Sequence, residues 1–126
     1  PDGKRAYVAC ELASTVYAID MDSRQVIAEI KAGTYANGVA MAPDGSRVYV
    51  SNGKDATVSV IRTSDHQIEA TIPVGKRPWN MAVTPDGRKL YVANGRSDSV
   101  TVIDTHRLEA VSDIQVGELP WGVVIR

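Results

Sequence analysis

The side chains able to do chemistry are few in this sequence of 126 residues: one cysteine, Cys10, two histidines, His66 and His106, and two tryptophans, Trp79 and Trp121. A cysteine nucleophile needs a base in reach, and no histidine stands in the segment around Cys10, so an unpaired thiol acting as a small buried residue is the expectation there. The two histidines are 40 positions apart, which places them at unequal points of the repeat described below, and a shared metal site is not expected. Three aspartates recur in Pro-Asp-Gly as Asp2, Asp44 and Asp86, where a carboxylate hydrogen-bonds its own turn. No catalytic residue, metal ligand or cofactor is expected from these groups.

Aromatic and basic residues form a more coherent set. Lys76-Arg77-Pro78-Trp79 and Glu118-Leu119-Pro120-Trp121 share one spacing, and Lys54-Asp55 and Arg96-Ser97-Asp98 stand in loops that the repeat brings to the same end of the fold. Cations and indoles around a mouth can hold a small anionic or sugar-like ligand or a peptide, which makes Lys54, Lys76, Arg77, Trp79, Arg96 and Trp121 the candidate ligand-binding residues. A plainer reading stands beside this one: Pro-Trp recurs in phase because the indole packs between neighbouring units.

The elements that must position these residues follow from repetition. Pro-Asp-Gly occurs at 1–3, 43–45 and 85–87, a period of 42, and Tyr7, Tyr49 and Tyr91, then Val16, Val58 and Val100, then Gly33, Gly75 and Gly117 keep the same phase. Residues 1–126 are therefore one array of repeats 1–42, 43–84 and 85–126. Asn80-Met81-Ala82-Val83-Thr84 enters Pro85-Asp86-Gly87, whose proline and glycine suit a tight reversal, and leaves as Lys89-Leu90-Tyr91-Val92-Ala93, a hairpin. Val100-Thr101-Val102-Ile103 gives a third strand, and a fourth ends near Val116-Gly117. Runs such as Val58-Ser59-Val60-Ile61 are apolar on both sides, as when each sheet is covered on two faces. No run carries helical spacing for ten residues, and a helical solenoid is rejected. The expected fold is all-β: three four-stranded antiparallel blades of a β-propeller. In the third repeat Leu108 stands two positions ahead of the phase of Val26 and Ile68, which suggests a shorter outer turn and a longer outer strand.

Composition narrows the partners. Fourteen basic against fifteen acidic residues leave a formal net charge of −1, without the single-sign field of a nucleic-acid or anionic-membrane binder. No apolar run approaches the roughly 20 residues needed to cross a bilayer as a helix, and the chain opens on Pro-Asp-Gly rather than on a leader pattern. Neither nucleic acid nor membrane insertion is expected.

Val-Tyr-Val-Ser-Asn at 48–52 and Leu-Tyr-Val-Ala-Asn at 90–94, each after Pro-Asp-Gly, with Val-Gly-x-x-Pro-Trp at 74–79 and 116–121, resemble the YVTN family of β-propeller repeats across all three periods. The first repeat departs, with Cys10-Glu11-Leu12-Ala13 in place of the Asn-Gly loop and Ala32-Gly33-Thr34-Tyr35-Ala36-Asn37 in place of the Pro-Trp stretch. The resemblance implies a propeller, usually seven-bladed, of periplasmic, secreted or surface-layer location in prokaryotes, and it implies no reaction.

By this phase the first residues are the second strand of a blade, and Trp121-Gly122-Val123-Val124-Ile125 is a first strand. Three blades leave two open edges, so closure as a six-bladed homodimer is the main expectation, with a section of a longer propeller as its rival. Inner-strand residues Val39, Met41, Met81 and Val83 with Asn37 and Asn80 offer little for hydrolysis, and neither histidine lies on an inner strand as a haem ligand would. The functional expectation is a non-catalytic scaffold or interaction module presenting loops to a protein or surface glycan. The alternatives are a small-ligand binder at the axial mouth and part of a propeller enzyme, a lactonase or haem-binding reductase.

Overall fold

Pro-Asp-Gly makes the same reversal three times because its glycine takes a backbone conformation that side chains resist. In the computed structural model, which describes residues 1–126, Gly3, Gly45 and Gly87 lie at φ of 74°, 73° and 73°. The aspartate closes each turn: Oδ1 of Asp2, Asp44 and Asp86 accepts the backbone N–H of Lys4, Ser46 and Arg88 at 2.9–3.0 Å.

The chain is eleven strands without a helix: β1 (Arg5–Cys10), β2 (Thr15–Asp20), β3 (Gln25–Lys31), β4 (Ala36–Met41), β5 (Arg47–Asn52), β6 (Thr57–Arg62), β7 (Ile68–Pro73), β8 (Pro78–Val83), β9 (Lys89–Asn94), β10 (Ser99–Asp104) and β11 (Glu109–Gln115). They form three antiparallel blades, β1-β2-β3, β4-β5-β6-β7 and β8-β9-β10-β11. The first blade has three strands rather than four, since β1 is a second strand by phase and nothing pairs with its free edge. Residues 121–125, expected as a first strand, form none. A strand is held by its ladder, and no second strand lies beside this segment.

The expected slip in the third repeat is also absent. Arg24, His66 and Leu108 occupy one turn position with φ of 58°, 57° and 55°, so the outer turn keeps its length and Leu108 belongs to it. The strand that follows is β11, seven residues like β3. One extra residue is absorbed in each outer strand by a bulge opposite Ala18/Ile19, Val60/Ile61 and Val102/Ile103.

The core lies between blades. Val16, Ile30, Ala36, Val48, Val50 and Ile61 fill the first junction, and Tyr49, Val58, Val60, Ile72, Met81, Leu90, Val92 and Ile103, with Ala42, the second. Each such aliphatic side chain contributes about 1.5–3 kcal/mol on burial. The middle blade is covered on both faces, while the same positions lie open at the ends: Ile30 and Ile72 are 6% and 3% exposed but Ile114 is 46%, and Val50 and Val92 are 0% but Val8 is 43%.

Arginines tie one blade to the next. Arg5 Nη1 donates to the Thr63 carbonyl and Arg47 Nη1 to the Thr105 carbonyl, both at 2.9 Å and one period apart. Arg47 also holds Glu69 through Nε and Nη2 at 2.8 Å each.

Candidate functional site

The loop face is organised by the asparagine that ends the second strand of the middle and last blades. Asn52 and Asn94 are fully buried. Asn52 Nδ2 donates to Thr57 Oγ1 and Ser59 Oγ, and Asn94 Nδ2 to Ser99 Oγ and Thr101 Oγ1, at 2.8–3.1 Å. The glycine of the preceding blade-to-blade loop lies directly on this amide: a Cβ on Gly33 or Gly75 would come 2.5 Å from Cγ of Asn52 or Asn94.

Polar side chains of neighbouring loops then satisfy the backbone of each blade-to-blade loop. Thr34 N–H donates to Asp55, Lys76 N–H to Ser97 Oγ, Tyr35 N–H to Ser14 Oγ and Leu119 N–H to Asp98. Asp55 and Asp98 are thereby engaged in the frame.

The sequence-predicted residues divide into two groups on this frame. Arg77 is not a free cation: its guanidinium donates to Glu11 at 3.1 Å and sits 5.2 Å from the Tyr35 ring centroid, with Lys54 Nζ 5.7 Å from the same ring. This cluster joins the Glu11 loop of the first blade, the Tyr35 loop leading to the second and the Arg77 loop leading to the third, and neither Glu11 nor Tyr35 is a binding candidate from sequence. The other group is aromatic. Trp79 lies against the backbone of Gly95, where an added Cβ would meet its Cζ3 at 2.5 Å. Its ring stacks on Trp121 with centroids 4.0 Å apart and planes 21° from parallel. The pair spans two successive first-strand positions, as the framework reading expects, yet Trp121 is 71% exposed. Lys54, Lys76 and Arg96 are exposed near these loops and pair with no carboxylate.

A cavity of about 470 Å³ opens on the inner strands, lined by Asn37, Gly38, Val39, Trp79, Asn80, Trp121 and Gly122. Indole faces and amides line it, without an ionisable side chain. Two further grooves lie at the opposite end, about 730 Å³ and 340 Å³. Tyr49, Arg47, Asp86 and Thr105 line the first, and their counterparts one period earlier, Tyr7, Arg5, Asp44 and Thr63, line the second. These grooves are the seams between blades, repeated with the repeat.

The two histidines are apart. His106 is exposed on an outer turn, and His66 packs against Tyr7 with ring centroids 6.1 Å apart. Cys10 occupies the phase of Asn52 and Asn94, is partly buried and is unpaired. No three of His, Cys, Asp and Glu gather as a metal site would require.

Among solved structures, 30% identity and a TM-score of 0.92 link the chain to hydrazine synthase of Kuenenia stuttgartiensis, over 95% of this chain and 35% of that one. A candidate 6-phosphogluconolactonase of Bacteroides fragilis matches at 25% identity and a TM-score of 0.84, over 97% of this chain and 38% of that one. The dihydro-heme d1 dehydrogenase NirN, solved in complex with DHE, matches at 25% identity and 0.78, over 89% of this chain and 24% of that one. The chain thus spans about a third, or less, of the length of these proteins. Comparison with curated proteins finds no match. The model of the lactonase family of seven-bladed β-propellers matches residues 1–118, and the chain belongs to that family.

Proposed function

We propose that these blades form a non-catalytic binding section of a propeller, whose loop face holds a protein or surface glycan on the Trp79–Trp121 pair with Lys54, Lys76 and Arg96 around it. The observation that carries the reading is the stack of Trp121 on Trp79 at the mouth of a cavity without ionisable groups. An aromatic platform contributes binding area at low entropic cost, and the unpaired cations favour an anionic partner. Arg77 acts here as a positioning residue, held by Glu11 beneath the loop. The test is a titration of tryptophan fluorescence with soluble neutral and acidic oligosaccharides and acidic peptides. A saturable shift that Trp121→Ala removes supports the reading, and a flat response to every probe overturns it.

A second reading follows from the family match: the section belongs to a lactone hydrolase. Ring opening would draw on a water-activating base, and Val39, Met41, Met81 and Val83 on the inner strands supply none. Release of 6-phosphogluconate from its lactone by the protein, above the buffer rate, would establish this reading in place of the first.

A further inference from the structure

His66 sits at an outer-turn position that faces the preceding blade. Its counterpart one period later, Leu108, packs against the apolar cluster that contains Tyr49, just as His66 packs against Tyr7, the counterpart of Tyr49. The two seams therefore have the same construction, with an imidazole in one and an isobutyl group in the other. In the first seam two polar atoms are buried without a hydrogen-bond partner, Nε2 of His66 and the hydroxyl of Tyr7. Buried polar atoms left unpaired weaken a junction, and a charge placed there weakens it further.

The surrounding charges do not offer a counter-ion. On β1, Arg5 crosses the seam to the Thr63 carbonyl, close enough that its charge opposes protonation of the imidazole. On the turn itself, Asp65 favours protonation, but Arg62 and the Gln67 N–H already hold its carboxylate. On β7, Glu69 is bound by Arg47. Asp2, Lys4 and Asp44 line the groove beside Tyr7, with Asp2 held by the Lys4 N–H and Asp44 by Ser46. Burial, then Arg5, hold the His66 imidazole below its ordinary pKa of 6.5.

We propose that the seam between the first and second blades is a proton-sensitive hinge: protonation of His66 loosens β1-β2-β3 from the middle blade, while the seam closed by Leu108 does not respond. Linkage gives the sign. An opened seam binds the proton at the ordinary pKa and the closed seam resists it, so the closed state is favoured above about pH 6.5 and weakened as pH falls below that value. The opening constant changes by up to about tenfold for each unit by which the seam depresses the imidazole.

Hydrogen exchange on the full chain, expressed as protection factors at pH 7.5 and 5.5, reads both seams at once. The expected result is a selective loss of protection in β1–β3 at the lower pH, with β8–β11 unchanged. His66→Leu, which installs the residue found in the second seam at a matching positive φ, should abolish the loss, and Leu108→His should move it to β8–β11. An equal response of both end blades to pH, or a response in β1–β3 that survives His66→Leu, overturns the proposal. If Leu108→His fails to fold, the His66→Leu comparison decides alone.

Discussion

The N–H of Gly33 donates to Oδ1 of Asn52 at 3.0 Å, across the boundary between the loop leaving the first blade and the strand β5 of the second. One buried amide thus fastens a loop with its oxygen and its own blade with its nitrogen. Asn52→Ala would strand the Gly33 N–H and the Thr57 and Ser59 hydroxyls, at a cost of about 1–3 kcal/mol. Gly33→Ala forces a methyl to 2.5 Å from the same side chain and should cost about as much through overpacking. Combined in one protein, the two substitutions are expected to cost clearly less than their sum, which denaturant unfolding would measure.

Arg47 meets Glu69 with both side chains about a quarter exposed, and carries the tie to Thr105 as well. Arg47→Ala should destabilise by about 2 kcal/mol, most of it from unpaired partners at the seam. The Arg47 guanidinium holds the Glu69 carboxyl below its ordinary 4.5. A depressed carboxyl stabilises the fold above its unfolded pKa and loses that contribution as pH falls through the folded value. Thermal melting between pH 7 and 3 should therefore decline less steeply below about pH 4.5 in Glu69→Gln than in the parent.

Gly95 is the floor of the aromatic pair. A side chain there meets the Trp79 ring at 2.5 Å, so Gly95→Val should lift the indole and break its stacking on Trp121. Near-ultraviolet circular dichroism should lose its indole signal, with far-ultraviolet β signal retained. An unchanged near-ultraviolet spectrum would show that the glycine does not set the pair.

The end faces expose Val8 and Ile114, at positions whose counterparts in the middle blade are buried. Their fitting cover is another blade of the same repeat, and for the isolated 126-residue chain we expect a second copy to supply it. Light scattering should give twice the mass of one chain. A stable monomer would contradict this pairing.

The period, the turns and the strands were legible because they rest on local chemistry: Pro-Asp-Gly marks reversals, and β-branched runs flanked by loops mark strands. Leu108 misled because its apolar character suggested a strand residue, whereas its phase with Arg24 and His66 identifies a turn position. Residues 121–125 carry a strand pattern, but pattern does not replace a missing ladder partner. The Pro-Trp spacing put the two indoles at one repeat position, and in the structure they stack on each other. The engagement of Arg77 was hidden, since Glu11 stands 66 residues away in the loop that departs most from the repeat. Its clue was that departure itself: an acid entered the first repeat where the other two carry Gly53 and Gly95.

The most direct test of a binding loop face is the fluorescence titration repeated on charge-reversed proteins. Lys76→Glu and Arg96→Glu touch exposed, unpaired cations, and each should weaken binding of an acidic oligosaccharide or peptide by about tenfold, roughly 1.4 kcal/mol, while leaving the melting temperature unchanged. Arg77→Glu should lower the melting temperature as well, because it faces Glu11. Equal affinity in the parent, Lys76→Glu and Arg96→Glu, or no titratable response with any probe, would contradict the account.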